Sequence, residues 1–199
     1  MDEPMILASG SPIRAEMLRA ARVSFEVIHP RVDEESIKQA LHAEGANPRD
    51  IADALAEAKA RKVATKHPDK LVIGADQVLQ FKNSTFSKPK SKVNALDQLL
   101  TLRGKPHHLL SAAVVYHEAK PVWRHVSKAT LYMRDASDDW LSGYLERNWN
   151  SVQYSVGAYK IEEEGVRLFS RINGDNFTIM GMPLLELLSY LTMRGSLPK

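Results

Sequence analysis

The stretch Ser9-Gly10-Ser11-Pro12-Ile13-Arg14 follows a short apolar run and leads directly into a helical pattern. A strand that enters a small-residue turn and then a helix aims free backbone N–H groups at one point. The helix N-terminus adds a partial positive charge there. The Ser9 and Ser11 hydroxyls can donate to the same point, and Arg14 offers a planar fork matched to phosphate oxygens. The arrangement reads as an anion cradle, although a plain strand-to-helix turn with a surface arginine has the same sequence. It is not a Walker loop, because Gly-x4-Gly-Lys is absent.

A second candidate is Asp76. Residues 71–76, Leu-Val-Ile-Gly-Ala-Asp, form a buried-strand pattern that ends in a carboxylate. Ligands of α/β sheets sit off the carboxyl ends of strands. A carboxylate buried there is costly unless it is paired or holds a cation; the alternative is a turn-capping Asp. Lys59 stands four residues after Leu55 and four before Val63, on an apolar helical stripe. Lys62 lies near the same stripe, so spacing does not choose between them, and snorkelling is the common fate of such lysines. Glu34 belongs to Val32-Asp33-Glu34-Glu35, a solvated loop unless a metal or phosphate is near. Lys88 flanks Pro89 in a basic turn. The seven histidines form no zinc pattern, and no Gly-x-Ser-x-Gly elbow is present.

Alternating strands and helices must position these residues. The pattern predicts strands at 5–8, 25–28, 71–81, 108–117, 121–134 and 165–174. It predicts helices at 13–22, 49–66, 91–102 and 138–147, and a last helix opened by Pro183 and closed by Gly195. Such a mixture of hairpins and crossovers indicates an α/β or α+β fold with a mixed sheet. The 199 residues suffice for one domain or two small lobes, and 44% are hydrophobic and 26% charged. With no cysteine, disulfides, thiolate metal sites and a Cys nucleophile are excluded. No apolar run is long enough to cross a membrane, and no signal-peptide pattern is visible, so a cytoplasmic location is expected. A net charge of +3 from scattered basic residues suits an anionic ligand rather than nucleic acid.

The order of these motifs is more informative than any one of them. Residues 7–18 (LASGSPIRAEML), 32–34 (VDE), 55–60 (LAEAKA), 73–78 (IGADQV), 88–89 (KP), 104–111 (GKPHHLLS), 157–162 (GAYKIE) and 172–184 (INGDNFTIMGMPL) run in register with the Maf family. The chain resembles Maf-like nucleoside triphosphate pyrophosphatases over nearly its whole length, as a single domain over residues 1–199. The resemblance implies a long mixed sheet with flanking helices and two lobes around a central cleft, related to inosine triphosphate pyrophosphatases. It implies hydrolysis of a nucleoside triphosphate to the monophosphate and pyrophosphate, dependence on Mg2+ or another divalent cation, and a possible homodimer. By matching positions, Asp76 is the general base, Ser9, Arg14, Lys59 and Lys88 contact phosphates, and Glu34 joins Asp76 at the metal.

Several positions depart from the common family pattern. Ile13 and Ala15 stand where basic residues are usual, Ser111-Ala112 replaces Thr-Gly, and Ser155-Val156 replaces Lys-Ala. Gln77 replaces Thr and Glu162 replaces Gln, as in the subgroup that is similar to this chain and acts on 7-methyl-GTP rather than on dTTP and UTP. Ile13, Gln77 and Glu162 are therefore the expected specificity positions. A carboxylate at 162 can accept both N1–H and N2–H of guanine, and Gln77 can offer an amide to O6 from the same pocket; a solvated acidic turn is the plainer reading of 162. The alternatives are a dTTP/UTP pyrophosphatase, a house-cleaning enzyme for damaged purine triphosphates, and a nucleotide-binding regulator of septum formation and cell division.

Overall fold

Four consecutive apolar residues make Met5–Ala8 a fully buried strand, β1, and the run stops at Ser9-Gly10. The structure, a computed structural model, describes residues 5–198. Pro12 occupies the first position of helix α1, Pro12–Ala20, where its missing N–H costs nothing. Strand β2 is only Glu26–Val27. Helix α2 runs Glu34–Ala43 and α3 runs Pro48–Ala64, followed by strand β3, Leu71–Phe81. Strand β4 (Ser84–Phe86) pairs antiparallel with β3, and helix α4 is Lys92–Leu102. Strands β5 (Pro106–His117) and β6 (Lys120–Met133) form the expected hairpin. Glu118 and Ala119 in its two-residue turn both have positive φ, the twist that two-residue hairpins favour. Helix α5 (Asp138–Val152), strand β7 (Phe169–Asn173), and helices α6 (Asn176–Met180) and α7 (Leu184–Arg194) complete the chain.

The seven strands form one mixed sheet in the order β2-β1-β3-β5-β6-β7, with β4 beside β3. Strand β1 is parallel to β3, and Ala8 pairs with Gly74. The chain divides into two compact units: residues up to Gln77 with Leu110–Ser127 and Asn176 onward, and Val78–Leu109 with Lys128–Asp175. In the first unit Leu7, Leu18, Ile73, Val115, Leu187 and Leu191 are central to one continuous apolar core. In the second, Tyr144 and Leu145 of α5 are buried with Tyr159 and Phe169. Among the described residues no helix is long and apolar enough to cross a membrane.

The α/β class and the mixed sheet agree with the sequence, whereas several elements differ. Residues 34–43 are helix rather than loop: Asp33 caps them by accepting from Ser36 N and Ser36 Oγ at 3.0 and 2.8 Å. That helix buries no residue fully, and its apolar Ile37 and Leu41 are half-buried. The predicted strand 165–174 begins only at Phe169, because Glu164–Leu168 is 3-10 helix. Gly165 is pressed against the backbone of Lys160 there: a Cβ on it would lie 2.3 Å from Lys160 O. Helix α5 runs five residues beyond the predicted 147, and Pro183 caps α7 rather than opening it.

Candidate active site

Gly74 brings the chemistry together. A Cβ on this residue would lie 2.2 Å from Ala56 O and 2.6 Å from Ala60 N, so α3 rests directly on β3. Only glycine allows that approach in a strand interior. Helix α3 buries Ile51, Ala52, Leu55, Ala56, Ala60, Val63 and Ala64 along one face, and Lys59 lies within that face at 6% exposure. Lys62 is exposed. The close contact resolves the choice that spacing left open.

Lys59 Nζ donates to Asp76 Oδ1 at 2.6 Å and reaches Glu34 Oε1 at 2.9 Å. Asp76 is 5% exposed, and its other oxygen, Oδ2, is buried without a hydrogen-bond partner among the described residues. Within Val32–Glu35, Asp33 is the cap of α2 and Glu34, one residue on, meets Lys59. The acidic cluster is thus divided between a structural and a charged role.

Arg14 is buried at 8% exposure on α1. Its Nε donates to Gly181 O at 2.7 Å, and its Nη1 donates to Ala75 O at 2.9 Å and to Ser9 Oγ at 3.2 Å. Burial lowers its pKa, while Asp76 and Glu34 act in the opposite sense and favour the charged form. Nη2 has no hydrogen bond among the described residues. Ser9, buried at the end of β1, accepts from Ser11 N at 3.2 Å as well as from Arg14. Because Ala8 pairs with Gly74, Ser9 just past the end of β1 lies level with the middle of β3, where Asp76 stands; β3 continues to Phe81 and does not end at the carboxylate.

Two buried cations and two carboxylates therefore meet beside the end of β1 and the middle of β3. Burying such pairs is a poor route to stability, because desolvation offsets most of the attraction. A buried group of paired charges that stability alone does not favour is a candidate functional site.

Ser9, Arg14, Glu34, Lys59 and Asp76 are brought together in the first unit. Ile13 is half-buried on α1. Lys88 and Glu162 belong to the second unit, where Lys88 is exposed in the segment between β4 and α4, and Glu162 is exposed in the turn between Tyr159 and the 3-10 helix. Gln77 is half-buried on β3, and successive strand residues face opposite ways. Its amide N–H groups go to Thr178 O and Ile179 O, at 3.0 and 2.8 Å. Sequence reasoning missed Gly181, whose carbonyl holds Arg14, and Ser111, which meets Gln77 at 3.1 Å. Nothing local signals either, since each partner lies 34 or more residues away.

The profile of the Maf-like protein family matches residues 4–194. The chain belongs to the Maf family. A Maf relative from Ruegeria sp. strain TM1040, named nucleoside triphosphate pyrophosphatase, is 58% identical over 195 residues, 98% of each chain. Another from Rhizobium meliloti, named 7-methyl-GTP pyrophosphatase, is 44% identical over 193 residues, 97% of each chain. A solved nucleoside-triphosphatase, a dITP/XTP pyrophosphatase from Mycobacterium abscessus, aligns with 98% of both chains at 13% identity and a TM-score of 0.42.

Proposed function

We infer that this Maf protein hydrolyses a nucleoside triphosphate to the monophosphate and pyrophosphate. The observation that carries the reading is Asp76: one oxygen is held by Lys59 at 2.6 Å, and the other is buried and unpartnered. Oδ2 is the acceptor for a proton from water. The water oxygen attacks the α-phosphorus, its proton passes to Oδ2, and the bond from that phosphorus to the bridging oxygen breaks, leaving pyrophosphate with the electron pair. Lys59 holds the base in place. The unoccupied donors of Arg14 Nη2 and the start of α1 meet charge that builds on the phosphate oxygens. The names of the relatives support the same activity.

The residues fit a divalent cation. No group of three or more His, Asp or Glu gathers among the described residues, but Mg2+ usually needs only one or two carboxylates beside substrate phosphates and water. Asp76 and Glu34 would supply those two. A cation there would screen phosphate charge as the leaving group departs.

The favoured substrate is 7-methyl-GTP or a related guanine nucleotide. Its support is the relative of that name and the subgroup residues Gln77 and Glu162; for Lys88 as a phosphate contact it is the family pattern alone. Pyrophosphate release from 7-methyl-GTP, GTP, UTP and dTTP with Mg2+ tests both levels. Release from none of them ends the enzymatic reading. In the same panel Glu162→Gln is expected to lower kcat/KM for the guanine nucleotides relative to UTP and dTTP by roughly 10-fold, the size of one bidentate base contact. An unchanged ratio would remove Glu162 from base recognition.

A further inference from the structure

Across three neighbouring parallel strands of the first unit, Val27 on β2 stands level with Leu7 on β1, and Leu7 with Ile73 on β3. Two residues further along each chain come His29, Ser9 and Ala75, with Asp76 next after Ala75. Ile28 N donates to Leu7 O at 3.1 Å, so the chain is still held beside β1 one residue before His29. The His29 ring then lies against the Ser9-Gly10-Ser11 turn. The absent side chain of Gly10 makes the room: a Cβ there would fall 3.2 Å from His29 Nδ1 and 3.5 Å from Cε1. Pro30 follows and biases the His29 backbone to an extended form. Five residues on, Glu34 meets Lys59 at 2.9 Å, so this segment crosses from the edge strand to the buried carboxylate. The imidazole is exposed and makes no hydrogen bond or ion pair among the described residues. The Gly10 N–H and the Ser11 hydroxyl likewise have no partner there. Three unspent donors therefore surround one turn beside Arg14 and Asp76.

We propose that His29 is a further substrate contact, which binds the terminal phosphate on the pyrophosphate side of the bond that breaks. The proposal rests on the reading of Asp76 as the base given above. In that reading the attacked α-phosphorus lies by Asp76 on β3. The rest of the phosphate chain is drawn to the free donors of the turn after β1, and β1 stands between β3 and β2. A phosphate chain that starts at Asp76 and crosses this turn reaches His29 last. An imidazole carries an N–H in either protonation state, so the ring can donate to a phosphate oxygen, and its charged form adds a cation next to Arg14. No proton transfer falls to His29; it holds the pyrophosphate portion while Asp76 serves the water. The consequence is specific. The contact is blind to the base and senses the length of the phosphate chain, so it belongs to the pyrophosphate product and not to the monophosphate.

The test compares wild type, His29→Ala and His29→Gln, with Mg2+, in binding of inorganic pyrophosphate and of GMP and in hydrolysis of 7-methyl-GTP, GTP, UTP and dTTP. His29→Ala is expected to weaken pyrophosphate binding about 10-fold, the scale of one hydrogen bond to a charged group, and to leave GMP binding within about 2-fold. In hydrolysis it should raise KM by about the same factor on all four nucleotides and leave kcat within about 2-fold, the pattern of a contact made equally before and during the reaction. His29→Gln keeps an N–H donor and should recover part of the loss. The ring is exposed, so circular dichroism of both variants should match wild type. Equal weakening of GMP and pyrophosphate, unchanged pyrophosphate binding in His29→Ala, a nucleotide-dependent rise in KM, a glutamine variant as weak as the alanine one, or a wild-type protein that binds no pyrophosphate would each overturn the proposal. The same measurements separate it from the activity. Cleavage by His29→Ala with wild-type KM ends the contact and leaves the enzymatic reading. If the wild-type protein cleaves nothing, yet His29→Ala loses pyrophosphate binding alone, the contact stands and the enzymatic reading does not.

Discussion

The charged cluster of the first unit and a polar cluster of the second handle charge in opposite ways. In the first unit, Arg14, Lys59, Asp76 and Glu34 lie together, with a 2.6 Å bond between Lys59 and Asp76. In the second, His107 meets the Tyr159 hydroxyl at 2.8 Å and packs against the rings of Tyr159 and Phe169. Burial holds His107 far below the ordinary histidine range, at about 4, with His108 adding to the effect. Burial likewise raises the Tyr159 hydroxyl. The second cluster stays neutral and needs no counter-ion. The first pairs its ionisable groups, Lys59 with Asp76 and Glu34. Neutral polar groups pack at little cost, whereas buried ions carry a desolvation penalty that pairing only partly offsets.

The comparison can be broken most sharply at Asp76. Asp76→Asn keeps the shape and removes the base, so kcat for pyrophosphate release should fall about 10²–10⁴-fold while circular dichroism is unchanged. More than a tenth of wild-type activity in the folded variant would end the assignment. Next is Lys59→Met, which leaves buried Asp76 without its cation and should cost about 3–5 kcal/mol in denaturant unfolding. Asp76→Asn should cost less, because Lys59 keeps Glu34 at 2.9 Å. Equal costs would mean that the cluster is not charge-balanced.

The neutral cluster is tested by pH. His107 binds its proton more weakly folded than unfolded, so the unfolded chain takes up more protons below about pH 6.5. Stability is therefore complete above that pH and declines as pH falls toward 4, by roughly 3 kcal/mol from this group. His107→Gln, which does not titrate, should flatten that decline in melting temperature; a slope equal to wild type would show that His107 is not its source. The smallest effect is expected for Glu34→Gln. One fewer charged oxygen should raise the Mg2+ needed for half-maximal activity by roughly 10-fold, and a superimposable titration would leave Glu34 as a partner of Lys59 only.

Local chemistry made much of this legible. The buried run ending in Asp76, the proline at the start of α1 and the apolar stripe of α3 can all be read from types and spacing. What spacing lacked was contact. Lys59 and Lys62 are equivalent on a helical wheel until Gly74 fixes how deeply α3 sits. Glu34 reads as part of a solvated loop because the acidic run Asp33–Glu35 hides that Asp33 caps a helix. The hydrogen-bond partners of Gln77 are 34 to 102 residues away. Long-range carbonyl acceptors leave no trace in sequence, since every residue has one.

The missing side chain at position 74 also has a hereditary meaning. Any single-base change in a glycine codon that alters the amino acid without ending translation adds a Cβ. Here that atom would fall 2.2 Å from a main-chain oxygen of Ala56, which has no rotamer into which to retreat. The helix would have to lift, and Lys59, which holds Asp76, would lift with it. Position 74 therefore offers no neighbouring genotype for gradual drift: a lineage keeps this glycine, or it rebuilds α3 and β3 in the same step.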